Sequence, residues 1–412
     1  MEQTYMTSVH IHKVRNLHNI DIPLAAPEAF EKKHLILTGK NGSGKTSMLE
    51  ALVSHLEYIT SNNFCSHEEC EKYIDLFSNN INKCANTEEG NHERLKNQKI
   101  LDSWQNQFTH WTDGATADFT SIASLREKYA NGDFILAYFS DSRVFEVIES
   151  KNIEKIELQS VYKISESPSR DFSKYLVNLK TKQSFAQTEG KYERANEIKT
   201  WFERFTEVLR DLYDEPNLAL AFDIETSEFN ILIDGREPFD FNTMSKGYSA
   251  VFDIICDLIM RMESKNSRNL EGIVLIDEIE THLHVELQKK IMPTLTKLFP
   301  NIQFILTTHS PFILSSVENA AVYDLEKKTL VTEGLTNLPY SGIVEGYFDT
   351  KETSAELQSK LDEYRVLSGK PDKTIAEKLK MLELETDLEE IPDFLALDIA
   401  TEYQRLKLEA KR

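Results

Sequence analysis

The sequence predicts an α/β fold built around a largely parallel sheet, and three observations carry that prediction. HLILT at 34–38 is a short apolar strand that runs into a glycine-rich turn and then into residues at helical spacing. GIVLI at 272–276 and QFILT at 303–307 are two more apolar strands, with a helical pattern between them at 285–298. Strand, turn, helix and strand is the repeating unit of sheets buried on both faces.

Taken in order, residues 8–23 alternate apolar and polar and predict a strand or hairpin. Met48, Leu49, Leu52 and Leu56 then mark a helix after the glycine turn. Residues 60–115 turn rich in Asn, Glu, Lys and His and predict a helical insertion, and FILAYFS at 134–140 returns as a buried strand. Residues 150–180 support no single reading. Ala195, Ile198, Phe202, Phe205, Leu209 and Leu212 repeat every three or four residues, an amphipathic helix over 192–213 that Pro216 closes. Its stripe is read as core rather than as a dimer seam. Residues 218–234 and 320–331 predict hairpins, and Ser249–Met262 a largely apolar helix. From about 352 the chain is charged and helical, with breaks near Pro371 and Pro392.

Composition narrows the function. A chain of 412 residues has room for about two or three domains. Lys and Arg number 47 against 68 Asp and Glu, a net charge of −21, which excludes a generally basic nucleic-acid coat. Four cysteines make no disulfide framework and fit a reducing compartment. The first residues show no signal-peptide pattern. No apolar run approaches a membrane span; Asp253 and Asp257 break the longest, Val251–Met260. A cytoplasmic location without a membrane partner is the expectation.

Four motifs carry chemistry. Gly39-Lys40-Asn41-Gly42-Ser43-Gly44-Lys45-Thr46 fits G-x-x-x-x-G-K-[ST] without a mismatch. Glycines let backbone N–H groups turn inward to phosphate oxygens, and the following helix adds its positive end. Gly39, Asn41, Gly42, Ser43, Gly44, Lys45, Thr46 and Ser47 are the expected nucleotide contacts, with Lys45 between the β- and γ-phosphates and the Thr46 hydroxyl on Mg²⁺. Next, the strand Ile273–Ile276 delivers Asp277 and Glu278 to its end. Asp277 is the expected Mg²⁺ residue and Glu278 the general base toward water. His309, in Thr307-Thr308-His309-Ser310-Pro311, follows the next strand and can hydrogen-bond a γ-phosphate. Met244–Ser249 places Ser245 and Gly247 at a helix start, a second anion site of weaker pattern.

Phosphate loop, signature, paired acids and switch histidine, in the order found in nucleotide-binding heads, resemble ABC-type ATPases, and closely the SMC-like and OLD-like branch. The resemblance covers residues 8–58 and 217–335. Lys246 stands where transporter signatures usually have glycine, and Val285 where proline is common. It implies an ABC-type head with a mixed sheet in two halves, 1–58 and 216–350, a helical insertion at 59–115, a strand-plus-helix region at 116–215, and a helical tail at 351–412. It implies ATP and Mg²⁺ as cofactors, slow hydrolysis, and heads paired head-to-tail in a dimer or higher oligomer. The phosphate loop of one head would then face Ser245 and Gly247 of the other, and Arg15 would lie near the nucleotide. FILAYFSDSR carries no Q-loop glutamine, and Gln159 is the nearest candidate.

The longer pattern, with HLHxExQ at 282–288, TTHSP at 307–311 and the stretch Tyr340–Phe348, resembles the PtuA-like ATPase subunits of bacterial anti-phage systems of the Septu and retron type. That implies an ATP-gated sensor and assembly platform controlling a separate nuclease subunit, HNH- or Toprim-type. This chain shows no nuclease motif of its own. The alternative is a DNA-repair or chromosome-maintenance ATPase of the RecF/SMC-like class that binds DNA directly. Other clusters are read as structural. Cys65, His67, Cys70, Cys84 and His92 lack the second ligand pair a zinc site needs. Lys32-Lys33, Lys174–Lys182 and Glu383–Glu390 are read as solvated faces, with DNA contact or a basic partner as the other reading.

Overall fold

A computed structural model describes residues 3–24, 31–84, 87–143, 145, 156–265, 270–332, 355–370, 372–389, 403 and 405–407. Two compact units emerge, residues 1–338 and residues 339–412. The junction between them, the expected boundary at 350, the stretch Tyr340–Phe348 and the breaks at Pro371 and Pro392 lie outside the described residues.

The first unit holds two sheets and a separate hairpin. β1 (Met6–Val14) and β2 (Leu17–Pro23) are antiparallel, and β4 (Gly114–Phe119) pairs with β1 on its other side. The larger sheet takes β3 (His34–Thr38), β5 (Phe134–Phe139), β8 (Glu271–Ile276), β9 (Ile302–Thr307), β10 (Ala320–Asp324) and β11 (Thr329–Val331) in the order β11-β10-β3-β9-β8-β5. Five strands are parallel and β11 runs antiparallel, so the sheet is mixed. Every residue of β3 and β9 is buried, as expected of strands covered on both faces.

Between the two sheets lies α1 (Lys45–Thr60). Its Met48, Leu49, Leu52, Leu56 and Ile59 share one buried cluster with Val9, Ile11 and Ile22 of the first sheet and Leu35, Leu37 and Leu275 of the second. Burying each such side chain contributes about 1.5–3 kcal/mol, so the helix after the glycine turn is locked into the centre of the unit.

Residues 67–112 hold a helix pair, α2 (His67–Lys83) and α3 (Glu88–Thr112). Ser66 and Glu69 form a reciprocal capping box at the start of α2, and Tyr73 stacks on Trp104 between the helices at 4.4 Å. Cys65 and Cys70 are buried here, and burial pushes the Cys65 thiol up to about 12. Among the described residues no group of three His, Cys, Asp or Glu side chains is arranged to hold a metal ion. α4 (Ile122–Asn131) then leads into β5.

A short 3-10 turn, Pro168–Asp171, opens α5 (Phe172–Thr188), which packs against α6 (Tyr192–Tyr213). Ala195, Ile198, Phe205, Leu209 and Leu212 of the α6 stripe are buried core. β6 (Ala219–Asp223) and β7 (Glu228–Leu232) form the separate hairpin. α7 (Lys246–Glu263) is tied to the sheet by Arg261, whose Nε donates to Asp257 Oδ1 at 2.6 Å and whose Nη1 donates to the Leu136 carbonyl at 3.0 Å. α8 (Val285–Leu298) connects β8 to β9, and α9 (Pro311–Leu314) follows β9.

In the second unit, α10 (Ala355–Ser368) and α11 (Ile375–Glu389) share a small core of Leu361, Tyr364, Leu367, Leu384 and Leu388 with Tyr403 and Leu406. Among the described residues no helix is long and apolar enough to cross a membrane.

Candidate functional site

Parallel strands end on one edge, and there the motifs meet. β3 runs into the glycine loop, β8 into Asp277 and Glu278, and β9, which lies between them, into Thr307–His309. In open α/β sheets this carboxyl edge is where ligands bind.

Gly39, Gly42 and Gly44 all have positive φ, at 130°, 83° and 98°. That backbone is costly for a residue with a Cβ, which is why glycine occupies the turn. Space is also tight at two of them: a Cβ on Gly44 would meet Leu17 at 3.0 Å, and one on Gly39 would meet Ser43 Oγ at 3.0 Å. Leu17 belongs to the β1–β2 hairpin, so Arg15 lies two residues along the chain from a contact with the phosphate loop. Lys45 is 5% exposed, and its Nζ donates to the carbonyls of Gly39 at 2.8 Å and Lys40 at 3.2 Å. Burial draws this ammonium below the usual lysine range, opposed by Glu278 first and then Glu280, Asp277 and Asp324. Ser47 is buried, while Asn41, Gly42 and Thr46 are exposed at the loop and the first helical turn. The Thr38 Oγ1 and Ser43 Oγ atoms are buried with no hydrogen-bond partner among the described residues.

Asp277 is 1% exposed. Its Oδ1 accepts from Thr307 Oγ1 at 2.6 Å, and its Oδ2 is buried without a partner. Thr307 Oγ1 also accepts the Glu278 N–H at 2.7 Å, so one hydroxyl joins both acids. Glu278 itself has φ 42°, a left-handed conformation unusual for a residue with a side chain. Arg143 holds the other side of this turn through the carbonyls of residues 277–279.

His309 Nε2 is buried and unpartnered, while the backbone N–H of His309 donates to Glu280 Oε1. Burial and the neighbouring Lys45 charge push the His309 imidazole below its ordinary value, opposed by Glu278. Burial raises Glu280, opposed by the bond from His309. Ser310 Oγ donates to Gln288 Oε1 at 2.7 Å, and Gln288 Nε2 donates to the Leu283 carbonyl at 2.8 Å. The HLHxExQ and TTHSP segments are therefore one hydrogen-bonded unit.

Ser245 caps α7 through its backbone conformation, without a side-chain hydrogen bond. A Cβ on Gly247 would meet the His282 carbonyl at 2.8 Å, so the start of α7 packs on the turn that follows the two acids. Two expectations are corrected. Gln159 is exposed and its N–H donates to Tyr162 Oη at 3.1 Å. The adjacent Ser160 carbonyl lies against Gly132, before the amino end of β5, so this segment sits at the edge opposite the phosphate loop. Lys32 is not a free surface cation: its Nζ donates to the carbonyls of Pro300 and Ile302, and burial lowers its pKa to about 8. Sequence reasoning did not single out Glu280, Gln288, Thr307 or Arg143 as working residues.

The residues present suit a nucleotide and a divalent cation. Lys45 and the glycine cradle match phosphate oxygens, and the orphaned Asp277 Oδ2 matches a cation or its bound water. Among known proteins, a family profile described as "AAA domain, putative AbiEii toxin, Type IV TA system" matches residues 121–315. Septu protein PtuA of Bacillus mycoides is 23% identical over 401 residues, covering 94% of this chain and 51% of that protein. "Retron Ec83 probable ATPase" of Escherichia coli is 33% identical over 120 residues, 27% of this chain and 22% of that one. The chain spans about half the length of the first of these relatives and less of the other. The SMC head domain from Thermotoga maritima aligns with TM-score 0.36 and 13% identity over 78% of this chain and 94% of that one.

Sheet order, glycine loop and paired acids define a mixed α/β fold with a phosphate loop and two acids at one sheet edge. By sequence the chain is related to Septu protein PtuA and, over a shorter stretch, to the retron probable ATPase.

Proposed function

We propose that the chain binds ATP at Gly39–Ser47 and hydrolyses it slowly, with Glu278 as general base and His309 as the hydrogen-bond partner of the γ-phosphate. Thr46 and Asp277 would hold Mg²⁺, whose charge offsets that of the phosphate oxygens when bound. The observation that carries the reading is Asp277: a buried carboxylate with one oxygen tied to Thr307 and the other without a partner, at the same edge as Lys45. Leaving such an oxygen unpaired is costly unless a ligand completes it.

Lys45 and the glycine loop would position the phosphates. Thr307 fixes the relation of the two acids, and the His309 imidazole, pushed toward its neutral form by burial and by Lys45, presents Nε2 as a hydrogen-bonding atom. Two heads would pair head-to-tail, with Ser245 and Gly247 of one against the phosphate loop of the other. This ATP-gated pairing would serve as the sensor and platform for a separate nuclease in anti-phage defence. Relatedness to Septu PtuA and the retron ATPase supports that role.

Phosphate release by the wild type and by Glu278→Gln tests the chemistry. Turnover should fall to a small residual rate in Glu278→Gln, with ATP retained and the paired form accumulating; hydrolysis at the wild-type rate would reject the base. A tagged Glu278→Gln chain purified from its native host tests the role. A stoichiometric nuclease supports it, whereas retained DNA without a protein partner favours direct DNA binding of the RecF/SMC-like kind.

A further inference from the structure

The turn that carries Glu278 is held from two sides, and only one side belongs to a motif. Thr307 reaches it from β9. From the other direction comes Arg143, four residues past the end of β5. Its Nη1 donates to the Asp277 carbonyl at 2.7 Å and the Ser140 carbonyl at 3.1 Å; its Nη2 donates to the carbonyls of Glu278 at 3.0 Å and Ile279 at 2.9 Å. Three consecutive carbonyls on one guanidinium fix the orientation of three peptide planes. A rigid fork of donors can do this, whereas a lysine ammonium is a point charge on a flexible stem.

The turn needs such a clamp. Glu278 at φ 42° occupies a left-handed conformation that is costly for a residue with a Cβ and persists only where its surroundings over-determine it. Arg143 is only 6% exposed, so its charge has been withdrawn from water. Burial works against that charge, and among the carboxylates that favour it Asp253 ranks first, ahead of Glu280 and Asp277. Asp253 is a buried residue of α7, anchored by Ser169 Oγ donating to its Oδ1 at 2.7 Å.

We propose that Arg143 is a positioning residue that sets the backbone of Glu278, and with it the aim of the general base. The proposal rests on the reading of Glu278 as the base. Arg143 acts on backbone carbonyls and touches none of the reacting atoms.

The test uses the full chain and three readouts: phosphate release at saturating ATP, the dissociation constant of a fluorescent ATP analogue with Mg²⁺, and the thermal midpoint. Arg143→Gln and Arg143→Lys should each lower kcat about tenfold or more, which is about 1.4 kcal/mol, while nucleotide affinity stays within about twofold. On the Glu278→Gln background the same changes should alter residual turnover by less than about twofold, because no base remains to be misplaced. Millimolar guanidinium should restore part of the turnover of Arg143→Ala. Affinity falling in step with kcat, or losses that multiply with Glu278→Gln, would overturn the proposal and leave Arg143 a packing residue. Should Arg143→Gln fail to fold, Arg143→Lys keeps the charge and decides by the same readouts. If Glu278→Gln turns over ATP like wild type, the base assignment fails and takes this proposal with it. If Glu278→Gln is inactive and the Arg143 variants are not slowed, only the proposal fails.

Discussion

Replacing Thr307 by valine removes one hydroxyl and keeps the shape of the side chain. That hydroxyl donates to Asp277 Oδ1 at 2.6 Å and accepts the Glu278 N–H at 2.7 Å. Without it, two polar groups at the end of β8 lose their partners, and Thr307 is fully buried, so water does not replace it there. Each unsatisfied buried group costs about 1–3 kcal/mol, or roughly 2–6 kcal/mol for the pair. The added methyl returns roughly 1 kcal/mol through apolar burial. A net loss near ~3 kcal/mol is therefore expected, within a range of roughly 1–5 kcal/mol. Thr307→Ser keeps the hydroxyl and removes one methyl, which costs about 0.5–1.5 kcal/mol. Urea unfolding measures both: the Thr307→Val midpoint should fall well below that of Thr307→Ser at unchanged m. Phosphate release should fall with Thr307→Val, because Asp277 and Glu278 lose their common tether, and survive in Thr307→Ser. Were Thr307→Val to match wild type within about 0.5 kcal/mol and retain turnover, the hydroxyl would not be the joint between the two acids.

Lys45→Ala deletes the buried ammonium and should weaken ATP binding about 100-fold or more, roughly 2.8 kcal/mol, by calorimetry; affinity within about threefold of wild type would refute the phosphate-binding role. His309→Ala should lower kcat about tenfold with affinity largely kept. An equal loss of affinity would instead mark His309 as holding the site together. Acid should unfold the protein partly through two buried histidines. Burial depresses His34 to about 3 and His55 to about 4, from 6.5, and the His34 Nδ1 accepts the Phe304 N–H at 3.0 Å. Both folded values lie below the unfolded one, so their contribution is full above pH 6.5 and is lost as pH falls toward the folded values. At about pH 5 the loss is about 2 kcal/mol per histidine. His55→Phe should flatten the difference in urea stability between about pH 7 and pH 5 by that amount, and an unchanged difference would show that His55 is not the titrating group.

How much of this was legible follows from how local each signal is. The glycine loop, the acids after IVLI and the histidine after TT are short runs whose meaning lies in adjacent residues, and β3, β8 and β9 are uniformly apolar strands. α6 stood out because one face is buried and the other is not. α5 did not: its buried residues include Asn178 and Gln183 beside Tyr175, Leu176 and Val177, so no clean stripe forms, and Lys174–Lys182 read as a charged face. In the structure Lys174 pairs with Asp171, and Lys180 lies over the Phe202 ring. β4 escaped because GATADF is short and small, and only its place beside β1 makes it a strand. Arg143 could not be read at all. Its partners on the Glu278 turn are 134 to 136 residues away, and nothing in SDSR foretells that a guanidinium will close on the turn after β8.

Where the chain leaves polar atoms unpaired is itself informative. Thr38 Oγ1, Ser43 Oγ, Asp277 Oδ2, Glu280 Oε2 and His309 Nε2 are all buried without partners, and all lie at the carboxyl edge of β3, β8 and β9 or in the loops leaving it. Other unpaired buried atoms lie on His55, Arg94, Arg143, Tyr213 and Asp257, but five at the ends of three neighbouring strands point to a common cause. Lys45 joins them there, held on its own loop's carbonyls. Two nearby donors are engaged elsewhere: the Thr307 hydroxyl goes to Asp277 Oδ1, and the terminal nitrogens of Arg143 go to backbone carbonyls. Asp277 has one oxygen tethered and the other bare at the edge that carries Lys45, the arrangement on which the proposed cation site rests. A ligand that completes those atoms binds the folded state alone, so it should stabilise the first unit increasingly as its concentration rises above its dissociation constant.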